Sequence, residues 1–213
     1  MRLPLLISLT LCFLFGAAQE FSLKHLDTTN GLANNKINAF HRDSDGFLWV
    51  GTSSGLCRYN GYGFKIYLPA AEDSVMISYD EDITDIQEDG KGRLWVRSGK
   101  TYLVYDPVSD CLSTDLTPVL KEFNIKSAPS LIYFDSGKGA WFHIQGEGLY
   151  HVKPGSDKAE LLKDKSYADE EITDITSTAN EIITIDNHGV IKFISPENLL
   201  VTRTDSLIAQ DTD

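Results

Sequence analysis

The sequence predicts an all-β fold: a partial β-propeller of about four blades, each of four antiparallel strands, forming part of a larger ring. Three observations carry this. Tryptophans recur at a fixed interval, with Trp49, Trp95 and Trp141 spaced 46 residues apart. The residues around each tryptophan alternate between apolar and polar, which is the period of a half-buried strand and not of a helix. Turns rich in Asp and Gly punctuate every segment, and a unit of short strands repeated at this length marks a propeller blade.

Taken in chain order, "MRLPLLISLTLCFLFGAAQE" has one basic residue (Arg2), an apolar core from Leu3 to Phe15, and small residues at Gly16, Ala17 and Ala18. This is the build of a secretory signal peptide over residues 1–18, cut after Ala18. The apolar run of about 13 residues falls short of the roughly 20 that a spanning helix needs. Cys12 follows Leu11 inside that run, with no small residue before it, which argues against a lipoprotein. The remainder, 19–213, is therefore expected to be exported to the periplasm. Without Arg2 it holds 18 basic against 31 acidic side chains, a net charge of −13. Such a surface disfavours nucleic acid and anionic lipid, whose phosphates require basic partners. It is compatible with neutral ligands such as sugars. Cys57 and Cys111 are left after cleavage; a bridge between them and two unpaired thiols are both open.

The first repeat, "DSDGFLWVGTSSGLCRY" from Asp43, is matched by "EDGKGRLWVRSGKTYLVY" from Glu88 and "FDSGKGAWFHIQGEGLYHV" from Phe134. A fourth, degenerate copy, "TSTANEIITIDNHGVIKFI", starts at Thr176 and places Ile183 where the others have Trp. An apolar pair three apart precedes each core: Ile37 and Phe40, Ile83 and Ile86, Leu131 and Phe134, Ile172 and Ile175. "INAF", "FLWVGT" and "LCRYN" read as three strands, and "FKIYLP" as a fourth. The blade cores are placed at 31–68, 80–113, 128–162 and 170–200. The tryptophans are assigned to packing between blades. Alternating Phe21, Leu23 and Leu26 predict a strand of the kind that closes a ring, while the chain after Phe193 reads as polar and weakly patterned. A closed four-bladed ring is the alternative to a larger one.

From Thr29 to Tyr67 the chain resembles the opening repeat of two-component regulator propellers. The residues that carry this are Gly31, Leu32, Asn34 and Asn35, then Ile37 and Phe40, the acidic turn ending at Gly46, Leu48 to Thr52, and Gly55-Leu56 before Arg58-Tyr59. The likeness weakens along the chain, with Arg97-Ser98 and then Phe142-His143 replacing parts of the first pattern. The resemblance implies the periplasmic sensor region of a Bacteroidetes hybrid histidine kinase, working as a homodimer in its full-length form. It implies that the ligand is an oligo- or disaccharide and that the output is control of polysaccharide-utilisation genes. The kinase and receiver would belong to a longer protein.

No catalytic motif accompanies this. The five histidines are scattered, with no HExxH spacing to cage zinc. Gly51-Thr52-Ser53-Ser54-Gly55 has the GxSxG spacing but lies in a predicted turn between two strands, so it is not the strand-to-helix elbow that presents a nucleophile. The "DSDG" turn lacks the further ligands of a calcium loop. We expect no enzymatic activity, no cofactor and no metal in this chain. Candidate ligand contacts are assigned to the loops between the second and third strands and to the connections entering each first strand. These give Asn35, Lys36, Ser53, Arg97, Lys100, Gln145, Glu147 and His188, with Asn34, Ser54 and Tyr102 close by in sequence. Amides, Arg and carboxylates bond sugar hydroxyls, Tyr102 offers a ring to stack on, and an acidic glycan would favour Arg97 and Lys100. A secreted binding or scaffold propeller and a propeller-fold lyase are the alternative readings.

Overall fold

The structure is a computed structural model and describes residues 23–68, 82–135 and 137–207. The expected signal peptide and Phe21 lie outside the described residues. Among the described residues, sixteen strands form four antiparallel sheets in consecutive order. Blade 1 comprises β1 (Ile37–Arg42), β2 (Leu48–Thr52), β3 (Gly55–Tyr59) and β4 (Phe64–Tyr67). Blade 2 comprises β5 (Ile83–Glu88), β6 (Leu94–Ser98), β7 (Thr101–Asp106) and β8 (Cys111–Ser113). Blade 3 comprises β9 (Leu131–Asp135), β10 (Gly139–Ile144), β11 (Gly148–Val152) and β12 (Ala159–Leu161). Blade 4 comprises β13 (Ile172–Ser177), β14 (Ile182–Asp186), β15 (Val190–Ile194) and β16 (Val201–Ser206). Two short helices, α1 (Thr117–Glu122) and α2 (Ser166–Asp169), sit in the connections after blades 2 and 3. No helix of the described residues is long and apolar enough to cross a membrane.

The tryptophans are where the packing argument placed them. Each is fully buried, and each joins a cluster with the following blade. Trp49 packs with Ile83, Ile86 and Val96, Trp95 with Ile132 and Phe142, and Trp141 with Ile172, Ile175 and Ile182. A buried Trp removes on the order of 200 Å² from water, about 5 kcal/mol of hydrophobic stabilisation each. At Gly51 the blades come so close that a Cβ would lie 2.6 Å from Ile83 Cγ2. Only a residue without a side chain permits that approach.

Among the described residues no core cluster joins blade 4 to blade 1, so the blades form an open arc. Blade 1's leading face is covered instead by Leu32, packed with Val50 and Cys57. Two expectations change, and the open question of the cysteines is answered. Leu23 to Asp27 is irregular and Leu23 is 95% exposed, so no ring-closing strand forms there. Blade 4 runs past residue 200, because polar Val201–Ser206 pairs with β15 as its outer strand. Cys57 is buried, Cys111 is exposed, and both are free thiols.

Candidate functional site

In every blade the start of the first strand lies beside the end of the second. The registers Ile37 to Thr52, Ile83 to Ser98, Leu131 to His143 and Ile172 to Asp186 fix this. Backbone bonds tie the loops together at the same end: Ser53 N–H to Lys36 C=O, Ser130 N–H to His143 C=O, Asn187 N–H to Glu171 C=O. The loops carrying the candidate residues therefore form one face of the arc.

That face holds a cavity of about 610 Å³ between the β6–β7 turn, α1 and residues 126–129. Its apolar floor is Tyr102, Leu116, Leu120 and Ile125, and Lys100, Lys121 and Lys126 stand at its edge. The wall exists because Pro118 opens α1 in its first turn, where no backbone donor is needed. Leu116 and Leu120, four residues apart, turn inward together. Asp115 accepts the Thr117 N–H at 2.9 Å, and its hydrogen bonds to Thr117 hold its carboxyl below the usual range. Tyr102 is 3% exposed and accepts the Ile132 N–H at 3.1 Å. It is floor and not the open stacking ring expected, and burial pushes its phenol up to about 12.

A second recess, of about 570 Å³, lies along the innermost strands and is lined by His41, Asp85, Gln87, Arg97, Tyr133 and Asp174. Gln87 spans it, accepting from Phe134 N–H at 2.9 Å and donating to Ile132 C=O at 3.0 Å. Arg97 faces this acidic recess, apart from the cavity that holds Lys100.

The other candidates are dispersed. Lys36 pairs with Asp82 at 2.9 Å, and Asn38 donates to Ser53 at 3.4 Å; Asp82 is held below its usual range by bonds to Ser53 and Lys36. Asn35 accepts the Thr28 N–H at 2.9 Å, a turn-building task. Asn34 donates to Ser54 at 2.9 Å. Gln145 reaches Ala168 C=O at 3.5 Å. Glu147 takes bonds from Ser127 and Tyr150, which keep its carboxyl low, and it faces Lys126 beside the cavity. His188 is exposed on the blade 4 turn. Reading the sequence by blade loops missed Lys121, Lys126, Leu116 and Leu120; the Leu116/Leu120 spacing and Pro118 were the available signal.

Two histidines are buried in the frame beneath this face. His143 donates to Tyr167 C=O at 2.8 Å and accepts from Ser130 at 2.7 Å. His151 stacks on Trp141 at 4.1 Å and donates to Lys138 C=O at 2.6 Å. Among the described residues no group of three or more His, Cys, Asp or Glu could hold a metal ion.

The family model described as two component regulator propeller matches residues 31–54, which cover β1, β2 and the segment before them. Histidine kinase P4 from Formosa agariphila is 39% identical over 59 residues, 28% of this chain and 4% of that protein. The extracellular domain of BT3049, a hybrid two-component system of B. thetaiotaomicron, superposes with a TM-score of 0.61 at 19% identity. That match covers 87% of this chain and 26% of that one. YCF48 from Cyanidioschyzon merolae gives 0.50 at 17% identity, over 75% of this chain and 55% of that one. The two structures share the fold, and this chain spans only a fraction of each relative.

Proposed function

We propose, from the premise that this chain is a two-component regulator propeller by its first repeat, that it is the N-terminal part of a periplasmic sensor. In this reading it binds glycan fragments for a hybrid histidine kinase. The observation that carries it is the match at 31–54, in the blade whose loops join the cavity-bearing face. The resemblance to extracellular sensor domains supports the fold. The net charge of −12 disfavours nucleic acid as the partner.

The reading gives the chain a binding role and no reaction of its own. A glycan that binds one arrangement of a sensor homodimer more tightly shifts the population toward it, by no more than that difference in affinity. The kinase would then read the arrangement across the membrane. Two experiments test this. The reading frame of the source gene beyond Asp213 is expected to run into further repeats, a membrane span and a kinase. An unrelated gene after a stop codon would remove the output. Calorimetric titration of the complete ectodomain with a panel of oligosaccharides is expected to give saturable binding, and no binding across the panel would overturn the ligand assignment.

A further inference from the structure

We propose that the cavity beneath α1 takes an anionic sugar, whose carboxylate or sulfate lies against Lys100, Lys121 and Lys126 while a ring face covers Leu116 and Leu120. This rests on the glycan-binding reading and adds the ligand class and the place. The charge distribution carries it. The chain has 31 acidic and 19 basic side chains, yet three lysines line one cavity of about 610 Å³.

Six of the ten lysines elsewhere are matched. Lys36, Lys65, Lys91, Lys138, Lys153 and Lys192 each form a salt bridge. None of the three at the cavity forms one among the described residues. Asp115 is the single carboxylate in the lining, and it is already bonded to Thr117. Glu147, which faces Lys126, is already bonded to Ser127 and Tyr150. The cavity thus offers unmatched positive charge above an apolar floor, the combination that suits a sugar ring with an acidic substituent. Ammonium groups on flexible stems serve as point charges for either anion and need not meet it in a fixed plane. A neutral sugar would leave all three unused.

The test is calorimetric titration of the full chain with a tetragalacturonate, a sulfated disaccharide and a neutral tetrasaccharide. One of the two acidic probes is expected to bind, and which one identifies the anion. Each single change among Lys100→Ala, Lys121→Ala and Lys126→Ala is expected to weaken it roughly tenfold. Lys121→Arg should restore most of the affinity, and the exposed positions should leave the melting temperature unchanged. Acidic-sugar binding that survives the triple alanine variant overturns the site. Binding of the neutral sugar alone overturns the anionic class and leaves the glycan reading standing. Binding of none of the three overturns both.

Discussion

Asp43 Oδ2 accepts the indole N–H of Trp49 at 2.6 Å, and the pairing recurs one blade on, where Asp89 Oδ2 accepts from Trp95 at 3.1 Å. The same turn carboxylate that accepts backbone N–H groups, from Phe47 in one blade and from Lys91 and Arg93 in the next, thus also anchors the core tryptophan. Blade 3 keeps both residues but not the bond. Asp135 Oδ2 is taken by Ser177 of blade 4 at 2.5 Å, and Trp141 Nε1 is buried without a partner.

This difference sets an order among Trp→Phe variants. Each loses a similar volume, but Trp49→Phe and Trp95→Phe also remove a bond to a carboxylate. Trp141→Phe removes an N–H that already lacks a partner. We expect Trp141→Phe to cost about 1–2 kcal/mol less than the other two. Urea denaturation of the three variants measures it, and equal costs would show that the indole bonds contribute nothing.

Asp89→Ala is expected to be among the most damaging single changes in blade 2. Its carboxylate, nearly buried, also holds Arg93 Nε at 2.7 Å, and Arg93 is itself 8% exposed. Arg93 would keep Glu122, paired through Nη1 at 3.0 Å, so losing its inner partner is expected to cost about 1–3 kcal/mol. Asp89→Asn keeps the shape and part of the bonding and should cost less. The denaturation midpoints of the two variants decide the point.

Gly51→Ala is expected to destabilise the contact between blades 1 and 2 by about 1–3 kcal/mol, because the new methyl overlaps Ile83 Cγ2. Ile83→Ala removes the overlapped group, so the double variant should recover at least about 1 kcal/mol relative to additivity. A double-mutant cycle in urea reads this coupling directly, and strict additivity would place the strain elsewhere.

The blades were legible because their information is local and periodic. Trp49, Trp95 and Trp141 share a spacing, and their turns carry the Asp and Gly that sharp reversals require. β16 was not legible, because Thr202 to Ser206 are polar and exposed, and what places them is chiefly the ladder to β15, with Thr202 also donating to Glu181 at 2.9 Å. The loop face followed from strand order, so Ser53, Lys100 and Glu147 could be placed on it. Which of them share a cavity could not be read, since that depends on α1, six residues inside a long connection. The dual task of Asp43 was hidden for another reason: an Asp opening a turn that ends on Gly46 already has a sufficient explanation as a turn residue.

The buried histidines make stability depend on pH in a defined window. Burial pushes the pKa of His143 down, against the opposing pull of its bond to Tyr167 and of Glu170. Burial does the same to His151, with the Lys138 carbonyl and Glu160 opposing it and Lys153 adding to it. Both are held neutral, with Nε2–H donating to a carbonyl. An unfolded histidine titrates near 6.5, and its folded counterpart lower, so the unfolded chain takes up protons first as pH falls. Stability is therefore fully present above about pH 6.5 and is lost as pH drops toward the folded values, by at most about 1.4 kcal/mol per pH unit for each histidine. The carboxylates with lowered pKa, such as Asp135 and Glu122, add their own loss only in the acid range below this window. Urea midpoints at pH 8, 7, 6 and 5 should be level across the first pair and then decline. His151→Gln should reduce the decline by roughly half. A midpoint that stays level down to pH 5 would show that the folded protein binds these protons as readily as the unfolded chain.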